Sequence, residues 1–141
     1  MSQENVELIR FGYDALNRRD YEAWISTLHP EVELHELPTS PDATVFQGRD
    51  QVREWTRSVF EVGGGEGSRF DPESFEEIGR FVLVRVRAVL FARGSAVPVE
   101  GRLFHVIEVA DGETRRIWGF LTEDDAREHI RLSEQDAHAD S

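Results

Sequence analysis

Residues 29–36 read HPEVELHE and predict the first strand, shortly after a helical region that contains YDALNRRD (residues 13–20). In HPEVELHE apolar and polar side chains alternate, which is typical of a strand with one buried face. Most of the chain beyond it predicts strands joined by short turns. Helices followed by a long antiparallel sheet predict an α+β fold, in which helices pack on a strongly curved sheet and form a cone-shaped cup. A cup of this kind is suited to holding a small molecule.

Three helices are predicted in the N-terminal part, from apolar residues that recur every three or four positions. The first covers residues 5–17. The second follows the capping residue Asp20 and is expected to stop at Pro30, since proline disfavours helical geometry in the preceding residue. The third follows Gly48 and ends at the glycine-rich run 63–68. That run lacks the Lys-Ser/Thr ending of a nucleotide-binding loop, so we interpret it as a hinge or loop rather than a phosphate cradle.

The remaining elements form a predicted meander. Asp111-Gly112 and Arg93-Gly94-Ser95 are turn signals between strands. Thr122 and Asp125 resemble a capping box that opens a short last helix. The predicted strands cover Phe70 to Ile78, Phe81 to Ala92, Val97 to Val109 and Arg115 to Leu121. We expect one domain over residues 1–132 and a polar, disordered tail over 133–141.

Composition limits the functional classes. The 141 residues, 39% hydrophobic, fit a single domain. Lys and Arg number 16 against 28 Asp and Glu, a net charge of −12, which disfavours nucleic acid as a partner. Cysteine is absent, which excludes disulfides, thiolate metal sites and thiol nucleophiles. No signal peptide or membrane-spanning run is evident, so the expected location is the cytoplasm, with no membrane partner.

Five short motifs in a fixed order resemble one known family. They are FGYDALN with Asp20, HPEVELHE, FQGR (residues 46–49), FHV (104–106) ahead of Asp111-Gly112, and WGF (118–120). Over residues 4–125 the chain resembles the SnoaL-like branch of the nuclear transport factor 2-like superfamily, which shares its cone fold with ketosteroid isomerase and limonene epoxide hydrolase. The superfamily includes isomerases, cyclases, hydrolases and proteins without known catalysis, so the resemblance implies a fold more than a reaction.

The resemblance implies roles at individual positions. In an isomerase of this fold the catalytic base falls on Glu36, but the tyrosine of the oxyanion hole falls on Gly12 and its acidic partner on Phe104. Phenylalanine donates no hydrogen bond, so the steroid isomerase mechanism is not expected. The Asp-Arg-Asp relay of the epoxide hydrolase is likewise incomplete, because Arg85-Val86-Arg87 replaces its Arg-x-Asp element and Gly119 its last aspartate.

Three residues are candidates for acid–base catalysis, each with a structural alternative. Glu36 is either an inward-facing base or a carboxylate at the solvated rim. His35 is either a base or a residue on the outer face, since neighbours in a strand point to opposite sides. For His105 the alternatives are a catalytic role and a hydrogen-bonded position in a contact between the sheets of a dimer.

The expected wall of the cup is largely aromatic. Aromatic walls suit a flat apolar ligand, and ordinary core packing explains the same residues equally well. Arg85 and Arg87 are expected to belong to an array of ion pairs across the ladder, with Arg102 and the carboxylates of Glu100 or Glu108, rather than to an anion site. The candidate pocket-lining residues are Tyr13, Trp24, Trp55, Arg85, Phe104, Trp118 and Phe120.

Two classes of function follow. In the first, a SnoaL-like enzyme uses Glu36 as a general base, with His35 or His105, in a cofactor-independent cyclisation, isomerisation or hydrolysis. In the second, the chain is a non-catalytic binding or dimerisation module. The expected partners are a small, mostly apolar molecule and a second copy bound through the outer sheet face; no cofactor or metal site is expected.

Overall fold

A computed structural model describes residues 2–37, 44–60, 68–91 and 98–139. Within these described ranges, four helices and a curved, unclosed six-stranded sheet form an α+β fold. The helices are α1 (Ser2–Asn17), α2 (Tyr21–Ser26), α3 (Gly48–Phe60) and α4 (Glu123–Ala139). The strands are β1 (Leu28–His35), β2 (Val45–Gln47), β3 (Arg69–Ile78), β4 (Phe81–Phe91), β5 (Pro98–Ala110) and β6 (Glu113–Phe120), arranged in the order β2-β1-β6-β5-β4-β3.

Helix α1 forms and docks as its apolar periodicity predicts. Ile9, Tyr13 and Leu16 recur at helical spacing and are buried against the sheet. At the last residue of the helix, the Asn17 side chain donates to the carbonyl of Phe70 at 2.9 Å and accepts from the Phe70 amide at 3.1 Å. This pair of bonds fixes the end of α1 against the start of β3.

Helix α2 is shorter than predicted. Asp20 caps it by accepting from the Ala23 amide, but the helix ends at Ser26, before Pro30. Pro30 lies inside β1, in the stretch where the pairing of β1 with β6 shifts register between Leu28 and Glu33. A break in the ladder tolerates a proline because no strand hydrogen bond is required there.

The sheet differs from the predicted one at one edge. β3 to β6 form the expected antiparallel meander, whereas β1 pairs with β6 in parallel. The short β2 was not predicted. Between β5 and β6, Asp111 (φ 53°) and Gly112 (φ 77°) both adopt the left-handed conformation that a two-residue hairpin turn requires. The predicted turn at residues 93–95, residues 63–67 of the glycine-rich run, and residues 38–43 lie outside the described residues.

Helix α4 gives the sheet a second buried face. Asp125 donates its amide to Thr122 Oγ1 at 3.1 Å, as the capping box predicts. Ala126 and Ile130 then pack on outer-face residues that include Phe81 and Phe104. Inner-face residues of β4, Val82, Val84, Val86 and Ala88, belong to a separate core under α1 to α3.

Two expectations about the helices are corrected. The grouping of three N-terminal helices is not confirmed, because α3 follows β1 and β2 in mid-chain and a fourth helix follows the sheet. The disordered tail predicted for residues 133–141 is helical as far as Ala139, where α4 ends. Among the described residues, none of the helices is both long and apolar enough to cross a bilayer.

Candidate ligand-binding cavity

A cavity of about 400 Å³ lies between α1 to α3 and the inner face of the sheet. Its walls are mostly apolar and include the indole rings of Trp24 and Trp55 and the ring of Phe70. Trp55 and Phe70 stack with ring centroids 6.5 Å apart. The remaining lining side chains include Ile9, Leu16, Leu34, Leu37, Val59, Leu90, Leu103, Ile107 and Ile117.

The polar centre of the cavity is a hydrogen-bonded pair. Tyr13 Oη lies 2.6 Å from Nδ1 of His105, and the two rings stack with their centroids 5.9 Å apart. Phe70 packs edge-on against the imidazole at 5.4 Å. Helix α1 supplies the tyrosine and the long strand β5 the histidine, so the pair joins the helical layer to the sheet.

Burial keeps both members of this pair uncharged near neutral pH. It lowers the pKa of His105 to about 4 and raises the pKa of Tyr13 well above its ordinary value. A neutral imidazole has one N–H and one free lone pair, and the phenol has one O–H. A single proton therefore bridges Oη and Nδ1, and the tautomer determines which atom donates it.

The second imidazole nitrogen, Nε2, has no hydrogen-bond partner among the described residues. Within the described residues, the fully buried side-chain polar atoms without a partner are Ser68 Oγ and His129 Nε2. Nε2 of His105 is not among them, and no described side chain or backbone group bonds it. His105 is one of the residues that line the cavity.

Two glycines make room around the pair. A Cβ at Gly12 would come within 3.2 Å of the Trp24 ring, so this glycine lets the indole lie against α1. Trp24 is further fixed by donating Nε1–H to Thr56 Oγ1 at 3.1 Å. Gly119 lies opposite His105 in the ladder, and a Cβ there would come within 3.1 Å of Leu37. Without that Cβ, Leu37 packs directly on the sheet beside His105.

Glu36 lies at the rim of the cavity. Its side chain is exposed and accepts from the Thr44 amide at 3.2 Å, while its own amide donates to the Thr44 carbonyl at 3.2 Å. Of the two positions that the sequence allows for Glu36, the structure shows the rim carboxylate rather than a base buried in the cup.

Four predicted wall residues lie elsewhere, and this corrects the predicted lining. Phe104, Trp118 and Phe120 belong to the outer core beneath α4. Arg85 is an exposed outer-face residue that pairs with Glu123 at 3.3 Å. Successive residues of a strand point to opposite faces, so once His105 faces inward its neighbour Phe104 must face outward.

The two remaining histidine predictions have different outcomes. Of the two alternatives for His105, the structure does not show the position on the outer face; His105 faces Tyr13 inside the cup. The His35 residue borders the cavity, but its ring stacks on Trp118 at 5.4 Å and lies 3.2 Å from a carboxylate oxygen of Glu33. Sequence reasoning missed Leu103 and Ile107, which alternate with His105 on the same face and were detectable from that spacing.

Ion pairs organise the charged outer surface of the described residues. Arg87 pairs with Glu100 at 3.7 Å, as the sequence suggests, and Arg102 pairs with Glu73 at 2.7 Å. Glu108 is largely buried between Arg80 and Arg116, each at 2.7 Å. Within the ranges that the structure describes, no group of three or more His, Asp or Glu side chains is placed to hold a metal ion.

Comparison with known proteins agrees with this architecture. A sequence model described as a SnoaL-like domain matches residues 9–117, which is more than half of the chain. The chain belongs to the SnoaL-like domain family. A search of the curated proteins returns no match.

Solved structures share the fold of this SnoaL-like protein. Bal32a from a soil-derived mobile gene cassette has a TM-score of 0.74 at 19% identity, over 83% of this chain and 88% of its own. TerC, co-crystallised with polyporic acid, has a TM-score of 0.71 at 24% identity, over 91% and 98%. A proposed SnoaL-like polyketide cyclase from Jannaschia has a TM-score of 0.69 at 19% identity, over 84% and 85%. At these identities the likeness shows a common fold.

Proposed function

We propose that this SnoaL-like chain binds a small, mostly apolar, uncharged molecule in its inner cavity, and that the Tyr13–His105 pair contacts the ligand's polar group. The observation that carries the proposal is an apolar cavity of about 400 Å³ whose central polar groups are one phenol and one neutral imidazole. Specific sites for small molecules combine apolar walls with a few placed polar groups in this way.

The electrostatics favour a neutral ligand. The burial that lowers the pKa of His105 would also disfavour an ionised ligand. A charged group that enters the cavity loses its hydration and meets no opposite charge there. The net charge of −12 further disfavours anions. An aromatic or polycyclic ligand fits the walls, and polyporic acid and polyketides are named for two relatives of the fold.

The first test is calorimetric titration with β-tetralone, a neutral bicyclic ketone, and with the tetralin carboxylate built on the same bicycle. We expect β-tetralone to bind at least about tenfold more tightly than the carboxylate, an affinity difference of about 1.4 kcal/mol. Trp55→Ala should weaken binding of the ketone by about tenfold or more, because it removes an aromatic wall. Trp118→Phe, on the outer face, is the matched control and should bind as the parent does. If neither compound binds, or if the carboxylate binds more tightly, the proposal is wrong.

Glu36 is a candidate for acid–base chemistry, because its carboxylate lies at the mouth of the same cavity. If it is the general base, Glu36→Gln should lower any observed turnover by at least about a hundredfold while leaving ligand binding and folding intact. Unchanged turnover in a folded Glu36→Gln variant would exclude that role. Binding with no turnover in the parent protein would instead support the alternative of a non-catalytic binding module.

The remaining proposals concern partners and location. A homodimer through the outer sheet face would use the surface that α4 leaves uncovered, where Arg87, Glu100 and Arg102 form ion pairs. The apolar residues Phe81 and Phe104 of the outer sheet face are already covered by α4, so such an interface would be mainly polar. We also propose that the protein is located in the cytoplasm.

A further inference from the structure

We infer that Thr114 is a second polar contact in the inner cavity, at the end opposite the Tyr13–His105 pair, and that the ligand is an elongated molecule with an uncharged oxygen at each end. The inference rests on the proposed function, since it needs the ligand to occupy this cavity. It adds a ligand class: flat, apolar ring compounds with a hydroxyl or carbonyl group at both ends of their long axis.

A bulge in β6 turns the Thr114 side chain to the inner face of the sheet. The ladder between β5 and β6 shifts register next to Val109, so that Arg115 has no partner in β5 and Thr114 lies opposite Val109. A bulge of this kind reverses the face to which the adjoining side chains point. Strict alternation from the cavity residue Ile117 would have placed Thr114 on the outer face. With the bulge, Thr114 is one of the residues that line the cavity.

The hydroxyl of Thr114 has no partner among the described residues, although the residue is only 3% exposed. Oγ1 nevertheless keeps some accessible surface, unlike the fully enclosed Ser68 Oγ and His129 Nε2. The Thr114 backbone is fixed, because its amide donates to the Thr27 carbonyl at 3.0 Å. The Thr27 hydroxyl is itself committed, since it donates to the Trp24 carbonyl at 2.7 Å. A ligand oxygen can therefore bond the Thr114 hydroxyl without breaking an existing bond.

Strand β1 shows which end of the cavity Thr114 occupies. β1 runs parallel to β6, with Leu28 beside Thr114 and His35 beside Trp118. Glu36, at the rim of the cavity, follows directly after His35. Thr114 is therefore at the end of the cavity away from that rim, and a ligand bound there also extends toward the mouth.

The spacing of the two polar contacts sets the length of the ligand. Val109, the partner of Thr114, is four positions beyond His105 on β5. At about 3.3 Å per residue the two contacts are at most about 13 Å apart. Two hydrogen bonds of about 2.8 Å occupy part of that length, so ligand oxygens about 7 to 8 Å apart fit. The wall between the contacts is apolar, because Ile107 and Ile117 face each other there. Oxygens at the two ends of a fused bicycle meet these requirements.

The test compares β-tetralone with its 6-hydroxy and 5-hydroxy derivatives by calorimetry at pH 7. The 6-hydroxyl group lies at the end of the bicycle opposite the carbonyl, whereas the 5-hydroxyl group lies on its side. All three compounds are uncharged at this pH, because a phenol ionises near pH 10. We expect the 6-hydroxy compound to bind at least about fivefold more tightly than β-tetralone, the effect of one hydrogen bond. The 5-hydroxy compound should show no such gain.

Two variants assign the gain to one hydroxyl group. Thr114→Val replaces the hydroxyl with a methyl group of similar size, so it should remove the fivefold gain and leave the affinity for β-tetralone within about twofold of the wild type. Thr114→Ser keeps a hydroxyl at the same position and should retain most of the gain. A purely structural role of Thr114 would change the binding of both ketones together.

The outcomes separate this subsite from the proposed function. If β-tetralone binds but the 6-hydroxyl group adds no affinity, the subsite is overturned and the binding function stands. A gain that persists in Thr114→Val, or that the 5-hydroxy compound shares, also overturns it. If none of the three compounds binds, both proposals are wrong. If Thr114→Val does not fold, the comparison of the two hydroxy compounds on the wild type still decides.

Discussion

The free energy of unfolding is expected to fall by about 2 kcal/mol between pH 7 and pH 5, and by about 3 kcal/mol by pH 4, through His105 alone. Burial lowers the pKa of this histidine from 6.5 to about 4 in the folded protein. In the unfolded chain it protonates near 6.5, so the unfolded state binds more protons in this range. The contribution of His105 is therefore present above about pH 6.5 and is lost progressively as the pH falls from there to about 4.

Urea unfolding of the wild type and of His105→Gln at pH 7, 6 and 5 measures the contribution of His105 to the pH dependence of stability. The variant should lose the His105 part of the pH dependence, so the stability difference between the two proteins should shrink by about 2 kcal/mol from pH 7 to pH 5. His129 also has a lowered pKa, mainly from burial, but contributes equally to both proteins. The ion-paired carboxylates of Glu73, Glu76 and Glu123 have pKa values below the ordinary 4.5 and titrate below this window. Parallel stability curves would contradict the assignment.

The largest effect on stability at neutral pH is expected for Phe60→Ala, with a loss of about 3 to 5 kcal/mol. Phe60 ends α3 and is fully buried. Its ring meets Phe70 edge-on at 5.4 Å and Trp55 at 6.5 Å, and the guanidinium of Arg19 lies over it at 5.1 Å. Removing the ring leaves a void behind two cavity walls, which the surrounding structure can only partly fill. Urea unfolding at pH 7 gives the free energy directly.

Phe11→Ala is the matched control for this change. Phe11 lies on α1 and is 47% exposed, so the same truncation should cost far less. Equal losses of unfolding free energy in the two variants would show that the loss comes from helix propensity or from the unfolded state, and not from packing behind the cavity. Phe60→Leu should fall between the wild type and Phe60→Ala, because it keeps part of the buried volume.

The elements of this fold were largely predictable because their signals are local. The apolar face of α1, the Thr122 cap of α4 and the Asp111-Gly112 turn each depend on neighbours a few residues away, and all three are present. The end of α2 was mispredicted because a proline stops a helix but also fits an irregular strand. Which of those two occurs at Pro30 depends on the distant pairing of β1 with β6.

The site was less predictable because strand alternation fixes relative faces but not which face is inside. Phe104 was assigned to the cavity wall, since an apolar residue is normally expected in the interior, and His105 was left between a catalytic role and a dimer contact. Here α4 makes the outer side apolar too, and Phe104 is buried there. The Tyr13–His105 contact joins residues 92 positions apart, so only the packing of α1 on the sheet brings them together.

The second core under α4 has a practical consequence for protein engineering. Ala126, Ile130, Phe104 and Val106 pack on one side of the sheet, and the cavity lies on the other. Substitutions that improve packing in the outer core can therefore raise thermal tolerance without reshaping the ligand chamber. The added stability could then offset the destabilisation that accompanies most substitutions of cavity residues. Stability and selectivity are in this way separate design variables within one small chain.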